Sequence, residues 1–325
     1  MAFNRSEAKS SPPEILSAKS LPHTHTIIVL HGRGDTAKNF SPMFMLSSHS
    51  TDIPLRQLCP HTKWIFPCAP RRSVVNTKLT MNQWFNISSL VDPSRQEESQ
   101  LDGLKESALM IRELIEEEMK TIPAENIILM GLSQGCATIL FTLLTLELPL
   151  VEGQRLPPRL GAVVGMSGWL PLQKRMDGLM AAVRADEEKV KANGGQVAEE
   201  EVSVLKTLNA TCALTSLPQL KSCKAMKKTP VWLGHGTADE KVDAKLGEGA
   251  VATLQSLGFR VKWVPYEGFG HWYKEPEEID DIFNFLREKV AGFEMDKTGG
   301  LEPGEKKPGY AKHWLADLEE SHGQA

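Results

Sequence analysis

The sequence predicts an α/β fold, a mostly parallel central sheet flanked by helices on both faces, and two observations carry that prediction. Short apolar runs of strand length recur along the chain and alternate with segments whose apolar residues repeat at helical spacing, the pattern of strands joined by crossover helices. One run, Ile127 to Met130, passes through Gly131-Leu-Ser-Gln-Gly135 directly into a helix marked by Ala137, Leu140, Leu144 and Leu148. A strand that turns so abruptly into a helix lifts the residue at the bend onto a strained corner. The surrounding chains then come too close for a Cβ, which accounts for the two glycines. The Ser133 hydroxyl is expected to stand above the sheet, near a helix N-terminus whose free N–H groups favour developing negative charge.

The remaining elements follow in order. Residues 1 to about 22, rich in Ser, Pro and Lys, read as a flexible N-terminal leader. Thr26 to Leu30 is a buried strand that ends in His31-Gly-Arg-Gly-Asp-Thr36, a glycine-rich loop able to bring backbone N–H groups close to a ligand. Lys63 to Ala69 is a second strand, stopped by Pro70. The polar stretch 71–100 holds Trp84 and Phe85 as an exposed-looking aromatic pair, suited either to a pocket mouth or to a satellite packing cluster. Leu104, Ala108, Ile111, Leu114, Ile115 and Met119 mark a helix from Asp102 to Lys120. Leu160 to Met166 is a strand running into Ser167-Gly-Trp-Leu-Pro171. Residues 173–228 lack strand signals and read as an insertion of two helices, on Met176, Leu179, Met180, Val183 and on Val202, Leu205, Leu208, Cys212, with a Gly194-Gly195 break between. Such helices form either a cap over the site or extra core. Strands at 230–236 and 260–266, with helices at about 243–257 and 277–290, complete a domain spanning 23–295. Residues 296–325 are a C-terminal appendage with a short Trp314-Leu315-Leu318 stripe.

Composition narrows the classes. The 325 residues are 41% hydrophobic, enough for a sizeable core, and the net charge of −4 with both signs dispersed does not suit a nucleic-acid binder. Five cysteines form no C-x-x-C pair and leave an odd count, which favours a reduced, cytoplasmic or nuclear setting over a disulfide framework. No apolar leader follows Met1, Ala2 excludes the glycine that myristoylation needs, and no run of eighteen apolar residues exists, so a soluble protein is expected.

Three polar groups fall just after predicted strands in the order Ser133, Asp239, His271. Chemistry on such sheets collects at the carboxyl ends of the strands, and this chain order is that of α/β-hydrolases. A serine hydroxyl is a weak nucleophile, so a base must take its proton; an imidazole suits that role, and a carboxylate holds the ring in the useful tautomer. Backbone N–H groups of Arg33 and Gln134 are the candidate oxyanion donors. Asp243 and Glu240 are rival acids, while His31 and His235, also at strand ends, read as loop supports.

On these residues the chain resembles the acyl-protein thioesterase and phospholipase/carboxylesterase branch of the α/β-hydrolases. The matching segments are Leu30 to Thr36, Trp84-Phe85, Ile127 to Ala137, Ser167 to Leu172, His235 to Asp239 and Gly270-His271. The resemblance implies a serine hydrolase acting on esters or thioesters, including fatty acyl groups on protein cysteines and lysophospholipids, with no cofactor or metal and at most transient contact with a membrane surface. It assigns nucleophile, acid and base to Ser133, Asp239 and His271 and the oxyanion donors to Arg33 and Gln134, with Trp84 and Trp169 as substrate-binding candidates. The chain departs from the family pattern at Arg33, where an apolar residue is usual, at Cys136, where glycine is common, and in the length of 173–228. A catalytically silent acyl binder and another hydrolase or lyase on the same scaffold are the alternatives.

Overall fold

The computed structural model describes residues 10–298, apart from residues 76, 151–152, 154–156 and 194–199. Its elements are β1 (Glu14–Leu16), β2 (His25–Leu30), α1 (Ala37–Met45), α2 (Leu55–Leu58), β3 (Thr62–Phe66), β4 (Arg71–Ser73), β5 (Thr80–Asn82), α3 (Leu101–Glu118), β6 (Ile127–Leu132), α4 (Gln134–Thr145), β7 (Ala162–Met166), α5 (Gln173–Ala192), α6 (Glu200–Leu214), β8 (Val231–Gly236), α7 (Ala244–Ser256), β9 (Val261–Tyr266) and α8 (Glu277–Lys289). Seven strands form one sheet in the order β1-β3-β2-β6-β7-β8-β9, and β4 pairs with β5 in a separate hairpin. All neighbours in the large sheet run parallel except β1, which lies antiparallel on β3 with Ile15 opposite Ile65.

The strands read as unbroken apolar runs because both sheet faces are covered. Successive residues of β2 alternate between two cores. Ile28 and Leu30 join α3, α4 and α7, and Ile27 and Val29 join α1 and α8. This is the doubly covered α/β architecture that the sequence predicts.

Two local expectations change, those for the leader and for the polar stretch. The leader is not wholly loose, since residues 14–16 pair with β3 as the sheet edge. The polar stretch 71–100 holds the β4–β5 hairpin. Helix α1, which no expectation covered, carries its own sequence signals: Thr36 caps it by accepting the Asn39 N–H at 3.2 Å, and Phe40 and Phe44 bury one face four residues apart. The Gly194-Gly195 break and the Trp314-Leu315-Leu318 stripe lie outside the described residues.

Both inserted helices form, and their packing favours the extra-core reading. Helix α6 lies against α4, α5 against α7, and the two against each other. Met176, Met180, Leu208 and Cys212 are buried in the same core as α3 and α4. Of the expected Val202, Leu205, Leu208, Cys212 series, Leu208 and Cys212 are buried and Leu205 packs against the core, while Val202 is exposed; Val204, Thr207 and Thr211 of α6, and Thr215 just past its end, are buried beside them. The threonines enter the core because Thr207 and Thr211 return their hydroxyl protons to carbonyls one turn back, on Ser203 and Thr207.

Glu278, in the first turn of α8, is wholly buried. Its Oε2 accepts the Lys274 N–H at 2.8 Å and its Oε1 has no partner. A Cβ on Gly234 of β8 would come within 2.5 Å of that Oε1. Burial pushes the carboxyl up to about 8, against the Lys274 hydrogen bond.

Two outcomes follow. Leu208→Ala should cost about 2–4 kcal/mol in denaturant unfolding while the chain stays folded; a loss below about 0.5 kcal/mol would show that α6 is not core. Between the ordinary carboxylate pKa and about 8 the folded chain holds a proton on Glu278 that the unfolded chain has released, so this group lowers stability as pH rises. Glu278→Gln removes that dependence, and relative to the parent it should gain on the order of 3 kcal/mol between pH 5 and pH 9. Parallel pH profiles for the two proteins would contradict the assignment.

Candidate active site

The elbow between β6 and α4 is built by close backbone approach. Ser133 sits at φ 55°, ψ −118°, a conformation rare for any residue with a Cβ. Its N–H donates to Met166 O on β7 at 2.8 Å, and its carbonyl accepts the Ala137 N–H at 3.0 Å, starting the helix. A Cβ on Gly131 would meet the carbonyl carbon of Gly135 at 2.4 Å, and one on Gly135 would meet Leu30 O at 2.4 Å. Only glycine fits at either position. Cys136 is accommodated by two further glycines, since a Cβ on Gly165 would lie 2.4 Å, and one on Gly168 2.5 Å, from its Sγ. The thiol is buried, and burial pushes its pKa far up, so it is inert.

The loops after β8 and β9 deliver the other two groups. They are laced together: Ala238 N–H donates to Phe269 O and Thr237 N–H to Tyr266 O, each at 2.9 Å, and a Cβ on Gly236 would come within 2.2 Å of Phe269 O. His271 Nε2 then lies 3.0 Å from Ser133 Oγ, and its Nδ1 lies 2.7 Å from Asp239 Oδ2. Ser133 is 6% exposed, the His271 side chain 12% and the Asp239 side chain not at all, so the line of groups opens to solvent only at its reactive end. Asp239 Oδ1 accepts the N–H groups of Lys241 and Val242, each at 2.9 Å. Burial alone would raise the pKa of this carboxyl, but hydrogen bonds from His235, His271 and Val242 outweigh it and hold the group ionised, well below the usual carboxylate range. The rival acids have other places: Asp243 caps α7 through the Lys245 N–H at 2.9 Å, and Glu240 lies beside Gly270.

His235 takes a larger part than loop support. Its buried Nε2 stands 3.0 Å from Asp239 Oδ2 and 2.8 Å from Val242 O, so that nitrogen carries the proton and donates to both. Its Nδ1 has no partner and abuts Gly247 of α7. Asp239 Oδ2 is thus held from two sides, by His235 and His271. The spacing of His235 four residues before Asp239, across the turn that leaves β8, was the available signal. His31 fits the loop-support reading: its Nδ1–H donates to Gly32 O at 2.7 Å, its Nε2 accepts the Ala69 N–H at 3.0 Å, and burial lowers its pKa to about 4.

The glycine-rich loop after β2 lies against the elbow, where a Cβ on Gly32 would be 3.6 Å from Ser133 Cβ. Among the described residues, neither the Arg33 nor the Gln134 backbone N–H has an acceptor. Both are therefore available to an anion beside Ser133. The Gln134 side chain binds the 84–85 segment, accepting the Trp84 N–H at 3.0 Å and donating to Phe85 O at 2.7 Å. Trp84 and Phe85 are not an exposed pair at a pocket mouth. Both are fully buried, with Trp84 Nε1 donating to His31 O at 2.8 Å and Phe85 edge-on to Trp169. Trp169 is buried too. Trp84 gains from core packing because its only polar atom finds a buried carbonyl, and Trp169 is buried with its Nε1 unpartnered, so the two tryptophans back the site and do not line an open pocket. Among the described residues, no group of three or more His, Cys, Asp or Glu side chains is placed to hold a metal ion.

Known proteins resemble this chain over most of its length. Residues 12–187 and 199–290 match the phospholipase/carboxylesterase family model. Acyl-protein thioesterase 1 of Debaryomyces hansenii is 29% identical over 279 residues, covering 85% of this chain and 95% of its own. The protein of the same name from Gibberella zeae is 29% identical over 273 residues, covering 82% and 92%. The crystal structure of Zea mays acyl-protein thioesterase 2 superposes with a TM-score of 0.57 at 24% identity, over 86% of this chain and 98% of that one, and so shares the fold. On its fold, its elbow and a family match that covers most of its length, the chain belongs to the phospholipase/carboxylesterase family of the α/β-hydrolases.

Proposed function

We propose that the chain is a serine hydrolase that cleaves carboxylic ester or thioester bonds through an acyl-enzyme intermediate on Ser133. The observation that carries this reading is the continuous hydrogen-bonded line from Ser133 Oγ through His271 to Asp239, at 3.0 and 2.7 Å. As Oγ attacks the acyl carbon, His271 Nε2 takes its proton, and Asp239 stabilises the imidazolium through Nδ1. The negative charge moves onto the carbonyl oxygen, where the N–H groups of Arg33 and Gln134 receive it, each such donor contributing about 3–4 kcal/mol to the transition state. Collapse breaks the bond to the leaving group, a thiol or alcohol, which takes the proton from Nε2. Water then attacks the acyl carbon with His271 again as base, releases the acid and restores the hydroxyl. The intact line also speaks against a silent acyl binder, which would have no use for a polarised hydroxyl held by an ionised acid.

Within this chemistry, a thioester of a fatty acid on a protein cysteine is the favoured substrate, on the relatives' named activity, with lysophospholipids and short esters as the wider class. Acyl groups on proteins reside in a lipid leaflet, so the enzyme would meet them by transient contact with a membrane surface. Among the described residues, no helix is long and apolar enough to cross one. Five free, buried cysteines suit the reducing cytoplasm.

Ser133→Ala should lower thioester and ester kcat/KM by at least three orders of magnitude with the thermal transition unchanged, since the position needs little packing. A folded variant that kept a tenth of the activity would rule out the mechanism. Asp239→Asn should cost about 10³–10⁴ in kcat by disturbing the His271 tautomer. A loss below tenfold, measured at saturating substrate, would assign the acid elsewhere.

A further inference from the structure

Arg33 has a side chain that the mechanism above does not use. Its guanidinium is half-buried, and its Nε donates to Gln83 Oε1 at 3.0 Å. Gln83 is wholly buried, and its Nε2 faces Ser73 O at 3.3 Å and Asn86 Oδ1 at 3.1 Å, so Oε1 must turn toward the arginine. The cation is fixed in place by an amide.

Among the described residues, no carboxylate lies within ion-pair distance of Arg33, whereas Arg72 pairs with Glu106 and Arg175 with Glu97 and Glu98. The nearby Asp35 carboxylate is occupied by the Thr36 N–H at 2.7 Å and by Asn39. Burial without a compensating anion lowers the guanidinium's pKa. A cation that is partly desolvated, immobilised and unpaired raises the free energy of the empty site, and an anion arriving with a ligand would relieve it.

The placement says which ligand. The Arg33 backbone is one of the two proposed oxyanion donors. Its loop is pinned by the Gly34 N–H on Asn82 O at 2.8 Å, and the following segment is tied to Gln134 through the Trp84 N–H. The guanidinium is therefore one side chain away from the scissile carbonyl. A fatty acyl chain brings no charge, so the anion belongs to the leaving group.

We propose that the Arg33 side chain is an anion subsite that selects substrates whose thiol or alcohol portion carries a carboxylate or phosphate close to the scissile bond. This rests on the hydrolase reading above and adds the class of leaving group. The planar fork of the guanidinium offers two parallel donors to either oxyanion once Nε is held by Gln83.

The test uses the full chain and three hexanoyl thioesters: of 2-mercaptoethanol, which is neutral, of 3-mercaptopropionate, and of 2-mercaptoethyl phosphate. Wild type should cleave at least one anionic thioester with kcat/KM about tenfold or more above the neutral one, and salt at about 0.5 M should shrink that ratio. Preference between the two anions separates an acidic peptide-like leaving group from a phosphorylated, headgroup-like one; either supports the proposal. In Arg33→Leu the ratio should fall to one or below, and Arg33→Lys should retain part of it. The ratio within each protein is the readout, so a change in overall rate from disturbing the loop does not enter. A wild-type ratio near one, or an unchanged ratio in Arg33→Leu, overturns the proposal while leaving the hydrolase reading intact. If neither variant folds, the salt dependence of the unaltered enzyme decides. Failure of wild type to cleave all three removes both readings together.

Discussion

The structure turns on how closely the backbone of β2 approaches the elbow. Leu30 O lies where a side chain on Gly135 would be, and the Gly135 backbone lies where one on Gly131 would be. This contact leaves the chain one way to pass from β6 into α4, and it drives Ser133 into a positive-φ conformation that costs about 1–3 kcal/mol. The cost is borne by a sheet whose central strands are covered on both faces. The same approach brings the loop after β2 against Ser133, so the proposed nucleophile and oxyanion donors are set by one packing event. The loops after β8 and β9 need only reach the same edge, and their mutual hydrogen bonds hold them there.

Charge is managed as tightly as space. Asp239 is excluded from water, yet its two oxygens receive bonds from two backbone N–H groups and two imidazoles, which keeps it ionised beneath His271. Glu278, buried in the first turn of α8 against Gly234 of β8 with one oxygen unpaired, takes the opposite course and favours its neutral form. Donors supplied or withheld make the difference between an acid that serves chemistry and one that burdens stability.

Much of this was legible in the sequence because strand, elbow and helix each leave a strong local signature, and because serine, acid and base must follow in a fixed order. What escaped depended on contacts distant in sequence. Trp84 and Phe85 sit in a polar stretch, and only the Gln134 side chain reaching across from the elbow shows that they are buried. Helix α6 turns its threonines inward, so a pattern read on apolar residues alone picked Val202, which faces solvent. Residues 14–16 form a strand only because β3 offers an edge. His235 looked like a loop residue, because its bond to Asp239 crosses a turn that no periodicity describes.

The claim that covalent chemistry occurs at Ser133 is tested most directly by trapping the intermediate. The chain is mixed with excess hexanoyl thioester, quenched in acid within the first turnovers, and analysed by intact mass and peptide mapping. A hexanoyl adduct placed on Ser133 itself, and not on the neighbouring Cys136, by fragmentation of their shared peptide, formed in a burst and lost as turnover ends, is the expected result. Steady turnover with no adduct, or an adduct on a cysteine instead, would contradict it.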